Sequence, residues 1–417
     1  MIRFGPSGIP LSCKGRTLRD GIEDVHNLGL TAMEIQLVRV NLVERYATEE
    51  EAGLTPRRLP NELIVQIGRR IEGRDQRITS LDAPIERGDV LYGLASGPAR
   101  DYLELEELGV IARELDIELS LHAPYYMDLA NADGLAAKSV DAVKWGGLLA
   151  EAANARIVVT HLGLYGELER EEALRRVIES VMALRNWYRD AKLRPSIGLE
   201  ASGRQEVIGG LDELLAIARQ VRGVQPILNF AHVHARENGL LKQPADFAAV
   251  LDRVQEFTNG RFYTHFSGVE HEGGNELRYT PIKKGDLRFE PFAELLLEDG
   301  RDITVISSSP LLEHDAMYMK VIYERVLAKK LARPSATREL LEGELRPAAP
   351  SPKPVRPPRA RPKAPKAKPA KRPAPRPKPR PKAKPRPRPR GKPRPRKAPK
   401  GRAAKQAARR PKSRSRR

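Results

Sequence analysis

Residues 156–166 read RIVVTHLGLYG, a short apolar run that closes on His161. A run rich in Ile and Val, without apolar–polar alternation, suits a parallel strand covered by helices. Four other runs close on a polar residue in the same way. They are His122 in ELSLHAPYY, Glu200 in SIGLEASG, His232 in PILNFAHVHA and His265 in FYTHFSG. From His122 to His265 the intervals are 39, 39, 32 and 33 residues. Each interval holds one strand, one helix and two loops. Residues at the ends of successive parallel strands point into one shared mouth. Four imidazoles and a carboxylate there make a candidate metal site, because these groups are usual ligands of borderline divalent ions.

Eight such runs are present, near residues 2–5, 32–38, 117–122, 156–161, 195–200, 226–232, 261–266 and 302–307. Between them lie helical patterns at 101–115, 136–153, 169–191, 210–222 and 245–258. In the first, Leu103, Leu108, Ile111 and Leu115 are expected to form the buried stripe. The pattern predicts an α/β fold, a TIM-type (β/α)8 barrel over residues 1–335. The connection from the second strand to the third is far longer than the rest. It predicts an insertion over about 48–100, either a solvated excursion or a substrate-binding subdomain.

Charge divides the chain. The whole carries 74 Lys+Arg against 54 Asp+Glu. Residues 347–417 hold 30 of those bases, no acid and 21 of the 35 prolines, so the remainder is net −10. Such a tail cannot bury a core, and disorder is expected. Its basic part, 353–417, suits non-specific DNA binding through counterion release. It has no aromatic residue to stack on bases. Cys13 is the single cysteine, which excludes an intrachain disulfide. No apolar run reaches the roughly 20 residues that span a bilayer. The first residues lack the apolar stretch of a signal peptide. A cytoplasmic, nucleoid-associated monomer is the expectation. His26 and His314 are expected on the surface or in packing, and Cys13 in the core.

Seven stretches carry a resemblance: RFGPSGIPLS, LHAPYYMDLA, HLGLYG, GLEASGRQEVIGG, NFAHVHARENG, THFSGVE and VISSSPLLEHDAMYMK. Taken in order, they resemble the endonuclease IV family of apurinic/apyrimidinic endonucleases, in its archaeal-type branch. The resemblance implies zinc ions at the barrel mouth and metal-assisted hydrolysis of the phosphodiester 5′ to an abasic site. It implies a first metal site of His122, His161 and Glu200, with Glu200 as the catalytic bridging carboxylate. His265 matches a second-site ligand and His232 a third-site one.

The chain also departs from the family. Asn229 and Ser308 stand where the family has an aspartate and a glutamate, and Leu277–Tyr279 where it has an Asp-x-His pair. With only Glu200 left of four carboxylates, one well-held Zn²⁺ is expected, Mn²⁺ being the other candidate ion. A weak second site would use Glu200, Asn229 and His265. Glu270, His271 and Glu272 are possible replacement ligands. Tyr125, His234 and Arg236 are substrate candidates. Three functions compete: a DNA-repair endonuclease, a non-catalytic lesion-sensing DNA binder, and a sugar isomerase or epimerase.

Overall fold

The computed structural model describes residues 1–131 and 134–332; the basic tail expected at 347–417 lies outside the described residues. The strands are β1 Ile2–Pro6, β2 Ala32–Gln36, β3 Leu42–Tyr46, β4 Ile64–Ile71, β5 Arg74–Ile78, β6 Val90–Leu94 and β7 Glu118–His122. They continue as β8 Ile157–Thr160, β9 Ser196–Glu200, β10 Val224–Asn229, β11 Arg261–Phe266, β12 Gly268–Glu272, β13 Asn275–Thr280 and β14 Asp302–Ser307. The helices are α1 Leu18–Asn27, α2 Tyr102–Glu114, α3 Leu135–Ala152, α4 Arg170–Asp190, α5 Leu211–Gln220, α6 Phe230–Arg236, α7 Pro244–Val254, α8 Glu290–Asp299 and α9 Glu313–Ala332.

Eight parallel strands form one sheet in the order β1-β14-β11-β10-β9-β8-β7-β2, and the predicted barrel is the observed fold. A bridge between Ser7 and Glu34 brings its two ends together. That junction requires glycine at position 5, where a Cβ would lie 1.8 Å from the Ala32 carbonyl oxygen.

Strand alternation places the site. Ala32, Ile157, Val159, Ile227, Tyr263 and Ile306 form a small apolar cluster apart from the main core. Side chains two residues apart on a strand share a face. Two steps on from Ala32, Val159, Ile227, Tyr263 and Ile306 come Glu34, His161, Asn229, His265 and Ser308. The same parity on the other strands gives Ser7, His122 and Glu200. Each barrel strand thus sends one polar side chain to the mouth.

The insertion is folded, not a solvated excursion. β3, β6, β4 and β5 form an antiparallel four-stranded sheet. It buries its own cluster of Leu59, Ile64, Ile67, Ile85 and Leu91. The sheet begins at Leu42, before the expected residue 48, because Leu42–Tyr46 pairs with Val90–Leu94. The α2 stripe differs from expectation at its first position, while Leu108 is buried and Ile111 and Leu115 pack against the core as expected. Tyr102, Leu105, Leu108 and Ala112 are its buried face, whereas Leu103 is exposed. Tyr102, left out of the apolar stripe, is fully buried, and its hydroxyl donates to the Ile64 carbonyl at 3.1 Å.

The run expected to be a strand as far as His232 ends at Asn229. Asn229 caps α6, its side-chain oxygen accepting from the amides of Ala231 and His232. Asparagine is among the best N-cap residues. His232, His234 and Arg236 therefore project from a helix rather than a strand end.

Candidate metal centre

Glu200 is the hub. Its carboxylate is buried at the end of β9, and three imidazole nitrogens approach it. His122 Nε2 lies 2.8 Å from Oε2, His161 Nε2 3.5 Å from Oε2, and His265 Nδ1 3.2 Å from Oε1. His122 Nδ1 is 2.6 Å from the Ala123 carbonyl, which can only accept, so Nδ1 carries hydrogen. In the neutral ring, Nε2 then presents a lone pair to a carboxylate. Burial would lower His122, but the hydrogen bond to Glu200 raises it, so in the ion-free protein a ring hydrogen takes the place between them that a bound cation would otherwise fill. His265 adds a second sign: Nε2 meets Glu34 at 2.8 Å, and Nδ1 is buried without a hydrogen-bond partner. These donors fit a divalent cation. His122, His161 and Glu200 present ligand atoms all within 4.8 Å of one another.

Glu34 is the residue that the sequence reading missed. It is fully buried in the middle of β2. Oε1 accepts from Ser7 Oγ at 2.9 Å and Gln36 Nε2 at 2.7 Å. Oε2 accepts from Tyr263 at 2.8 Å and meets His265 at 2.8 Å. It is therefore saturated, and its role is to hold the His265 ring. Its signal in the sequence was a carboxylate inside an apolar run, AMEIQ, on the same strand face as Gln36.

The remaining candidates are placed less favourably for an ion. Asn229 points its amide nitrogen at Glu200 Oε1, 2.8 Å away, while its oxygen caps α6. Its carbonyl is thus turned away from the centre. His232 Nε2 is 3.9 Å from Glu200 but 2.8 Å from the Tyr279 hydroxyl, and its Nδ1 meets Glu276 at 2.5 Å. Glu276 is a second carboxylate that the sequence reading did not single out. Arg236 Nη1 donates to the carbonyls of Ser202, Arg204 and Val207, so it fastens the loop after β9 rather than facing a phosphate. Tyr125 is half exposed at the rim, its ring 5.2 Å from that of His122, and it donates to Gln36 Oε1 at 2.7 Å. Ser308 lines the cavity. Glu270 pairs with Arg278 on the outer part of the β12–β13 hairpin, where Glu272 is also exposed.

His271 lies with His234 and Asp286, a second group of metal-ligand types. The Leu241 amide donates to His234 Nδ1 at 3.1 Å. The neutral His234 ring must then carry its hydrogen on Nε2, toward Asp286 3.2 Å away. An N–H is no metal ligand, so in this tautomer the group holds no ion, and Nε2 faces Asp286 without an aligned hydrogen bond.

Electrostatics follow from the geometry. Burial alone would raise Glu34, but the charge and hydrogen bond of His265 hold it down at about 2. Burial would lower His265, but Glu34 and Glu200 lift it to about 10. Burial dominates at His161 and lowers it to about 4. Glu200 stays well below the usual carboxylate range, the charges of His161 and His265 outweighing its burial.

In chelator-treated protein the His265–Glu34 pair therefore sets a pH window. The raised His265 stabilises fully below its unfolded value of about 6.5, and that contribution is lost as pH rises through about 10. The lowered Glu34 stabilises fully above 4.5, and that contribution is lost as pH falls through about 2. Thermal melts from pH 5 to 10 should show stability falling across the alkaline half. A Glu34→Gln chain that falls with the same slope would disprove the assignment.

The centre opens into a cavity of about 710 Å³ lined by Glu34, His122, Tyr125, His161, Glu200 and Tyr279, among others. A second cleft, about 950 Å³, shares Ser7 and Leu312 with it and carries Arg16, Arg19, Arg39 and Arg100. Among the described residues no helix is long and apolar enough to cross a membrane.

A family model described as a xylose isomerase-like TIM barrel matches residues 92–310. The chain belongs to that family. The chain is also similar to the uncharacterized protein MJ0133 of Methanocaldococcus jannaschii. It is 25% identical over 217 residues, which are 51% of this chain and 78% of that protein. Among solved structures, endonuclease IV from Thermus thermophilus is 18% identical, covering 78% of this chain and 99% of its own, with a TM-score of 0.49. D-psicose 3-epimerase from Clostridium cellulolyticum is 12% identical, covering 77% and 99%, with a TM-score of 0.47. Likenesses this distant do not choose between an endonuclease and an epimerase, and this xylose isomerase-like barrel must be read from its own residues.

Proposed function

We propose that this protein is a metal-dependent phosphodiesterase that cuts DNA 5′ to abasic sites. One Zn²⁺ would be held by His122, His161 and Glu200 and completed by His265. The observation that carries this reading is the convergence of three imidazole nitrogens on the buried Glu200 at the floor of an open cavity. When bound, the ion supplies Lewis acidity toward a phosphoryl oxygen. The chain's own residues do the rest. Glu34 fixes the His265 ring, Ala123 fixes the tautomer of His122, and Tyr125 covers both His122 and His161 at the rim. The arginine-bearing cleft beside the mouth offers a path for a phosphate backbone. The family resemblance of the seven motifs and the +30 tail support DNA as the polymer. The division into a barrel at 1–335 and a DNA-binding tail at 347–417 belongs to the same proposal.

The test uses the full chain purified without chelator. Elemental analysis is expected to find one zinc per chain. A duplex with a single abasic site should be incised with Zn²⁺ or Mn²⁺, with Glu200→Ala as the inactive control. Incision no faster than that control sinks the reading, and tight DNA binding without a bound ion would instead mark a non-catalytic lesion sensor. Removing 347–417 is expected to reduce the salt dependence of binding to undamaged duplex, because every phosphate no longer neutralised by a lysine or arginine makes the slope shallower by about 0.9. An unchanged slope would show that the tail does not touch DNA.

A further inference from the structure

Beside the metal centre a second set of polar groups is linked in a chain. Glu276 Oε2 lies 2.5 Å from His232 Nδ1, His232 Nε2 lies 2.8 Å from the Tyr279 hydroxyl, and Asn229 Nδ2 donates to that same hydroxyl at 2.8 Å. The donor roles follow from chemistry. Glu276 accepts from Nδ1–H, which leaves a lone pair on His232 Nε2. Tyr279 donates to that lone pair and accepts from Asn229. The other acceptor of the Asn229 amide is Glu200 Oε1, also at 2.8 Å. The phenol is thus one amide group away from the hub of the metal centre, and it lines the same cavity.

The scaffold is built to hold this arrangement. Glu276 and Tyr279 sit on β13 of a hairpin inserted between β11 and α8. The hairpin is pinned to the loop after β9: the Glu276 amide donates to the Gly203 carbonyl at 2.8 Å, and the Gln205 amide to Asn275 Oδ1 at 2.8 Å. A Cβ on Gly203 would come within 2.7 Å of Glu276 and 2.8 Å of His232, so only glycine leaves room for the pair. His232 is held at both nitrogens by this chain, which gives it an occupation other than a third metal site.

Resting on the phosphodiesterase reading, we infer that Tyr279 is a catalytic residue, the acid that protonates the expelled oxygen, with His232 and Glu276 as positioning residues. The bond from phosphorus to the attacking water oxygen forms as the bond to the leaving oxygen breaks. The electron pair of the broken bond stays on the leaving oxygen and takes the Tyr279 proton, the hydroxyl turning its hydrogen from His232 Nε2 to that oxygen. The proton released by the attacking water passes to solvent, and solvent returns one to the phenolate. Asn229 N–H stabilises that phenolate in the interval. Burial and the charges of Glu276 and Glu200 raise the Tyr279 phenol well above the ordinary phenol range, so its proton stays in place until the expelled sugar alkoxide, a strong base, takes it. This assigns a use to residues 277–279, where the resemblance leads one to look for metal ligands and the chain has none.

The test compares two substrates on the full chain, wild type and Tyr279→Phe: abasic duplex, whose leaving alkoxide needs a proton, and bis(p-nitrophenyl) phosphate, whose leaving group does not. General acid catalysis is commonly worth 10²–10⁴-fold. Tyr279→Phe is therefore expected to lose about 100-fold or more in kcat on the duplex, with less than about 3-fold on the aryl ester, and with unchanged zinc content and duplex binding. His232→Asn and Glu276→Gln should show the same substrate difference at smaller size. Equal losses on both substrates, loss of zinc, or no loss on DNA would each overturn the inference alone. A wild-type chain inactive on both substrates would overturn the phosphodiesterase reading, and this inference with it.

Discussion

Glu200→Gln should abolish ion binding while leaving the barrel folded. The reason lies in what the amide offers to its neighbours. In the neutral ring His122 Nε2 presents a lone pair 2.8 Å from Glu200 Oε2. Glutamine can turn an N–H toward that lone pair and keep its oxygen toward Asn229 Nδ2, so the ion-free site becomes neutral and satisfied. What it loses is the negative charge that His122, His161 and His265 share, Glu34 meeting only His265 of the three. Three imidazoles can hold zinc where they are pre-arranged for it, but here His265 is fixed by Glu34 and the other two rings converge on Glu200 Oε2, so the carboxylate is what the ion would share with all three. Ion binding stabilises the folded state by about 4 kcal/mol at 1,000 times Kd. That gain should appear as a zinc-dependent rise in Tm for wild type and vanish in Glu200→Gln, with abasic-site incision falling to background. A variant that keeps one zinc per chain would show that the three imidazoles suffice and that Glu200 is not the hub. A variant that fails to fold would show that the carboxylate is structural, because in the ion-free Gln chain the buried charges that remain, His265 and Glu34, are still paired with each other.

The ease of reading the sequence differed from residue to residue, for physical reasons. His122, His161, Glu200 and His265 were legible because parallel strands end at regular intervals and their ends are where a barrel collects its chemistry. His232 shows where that rule gives out. The apolar run continues through Phe230 and Ala231, but Asn229 caps a helix there, so the run spans a strand and a helix start. The α2 stripe is right at Leu108, Ile111 and Leu115 but wrong at its first position, because Tyr102, fully buried, was left out of the apolar set and Leu103 took its place. Arg236 looked like a phosphate ligand from composition alone. Its engagement with the carbonyls of Ser202, Arg204 and Val207 depends on a loop some 30 residues away in the chain. Glu34, Glu276 and Tyr279 were missed for the same reason. Their partners lie at long sequence separations, 231 residues for Glu34 and His265, and no local spacing encodes that. The expectation that one carboxylate would stand alone at the mouth followed from motif positions. Glu34 and Glu276 bring carboxylates back to the site by other routes, each paired with a histidine.

Glu34→Ala should be the most damaging single change to folding in this site. The carboxylate is fully buried and serves four partners: Ser7, Gln36, Tyr263 and His265. Removing it strips an acceptor from each at once. It also leaves His265, held as an imidazolium in the ion-free protein, with Glu200 as its only carboxylate neighbour. Breaking a buried ion pair by deleting one partner costs about 3–5 kcal/mol. The position compounds that loss, because among the described residues the β1–β2 junction rests on the Ser7–Glu34 bridge and the bond from the Thr31 amide to the Phe4 carbonyl. The damage should therefore spread to the closure of the barrel and not stay at the mouth. Urea unfolding of chelator-treated protein at pH 6 measures the loss. Adding His265→Ala separates its causes. If the unpaired imidazolium dominates, the double variant recovers part of the stability; if the lost hydrogen bonds to Ser7, Gln36 and Tyr263 dominate, it recovers none. A loss below about 1 kcal/mol, the size of a single ordinary hydrogen bond, would mean that water enters and replaces the carboxylate, and that Glu34 does not hold His265 in place.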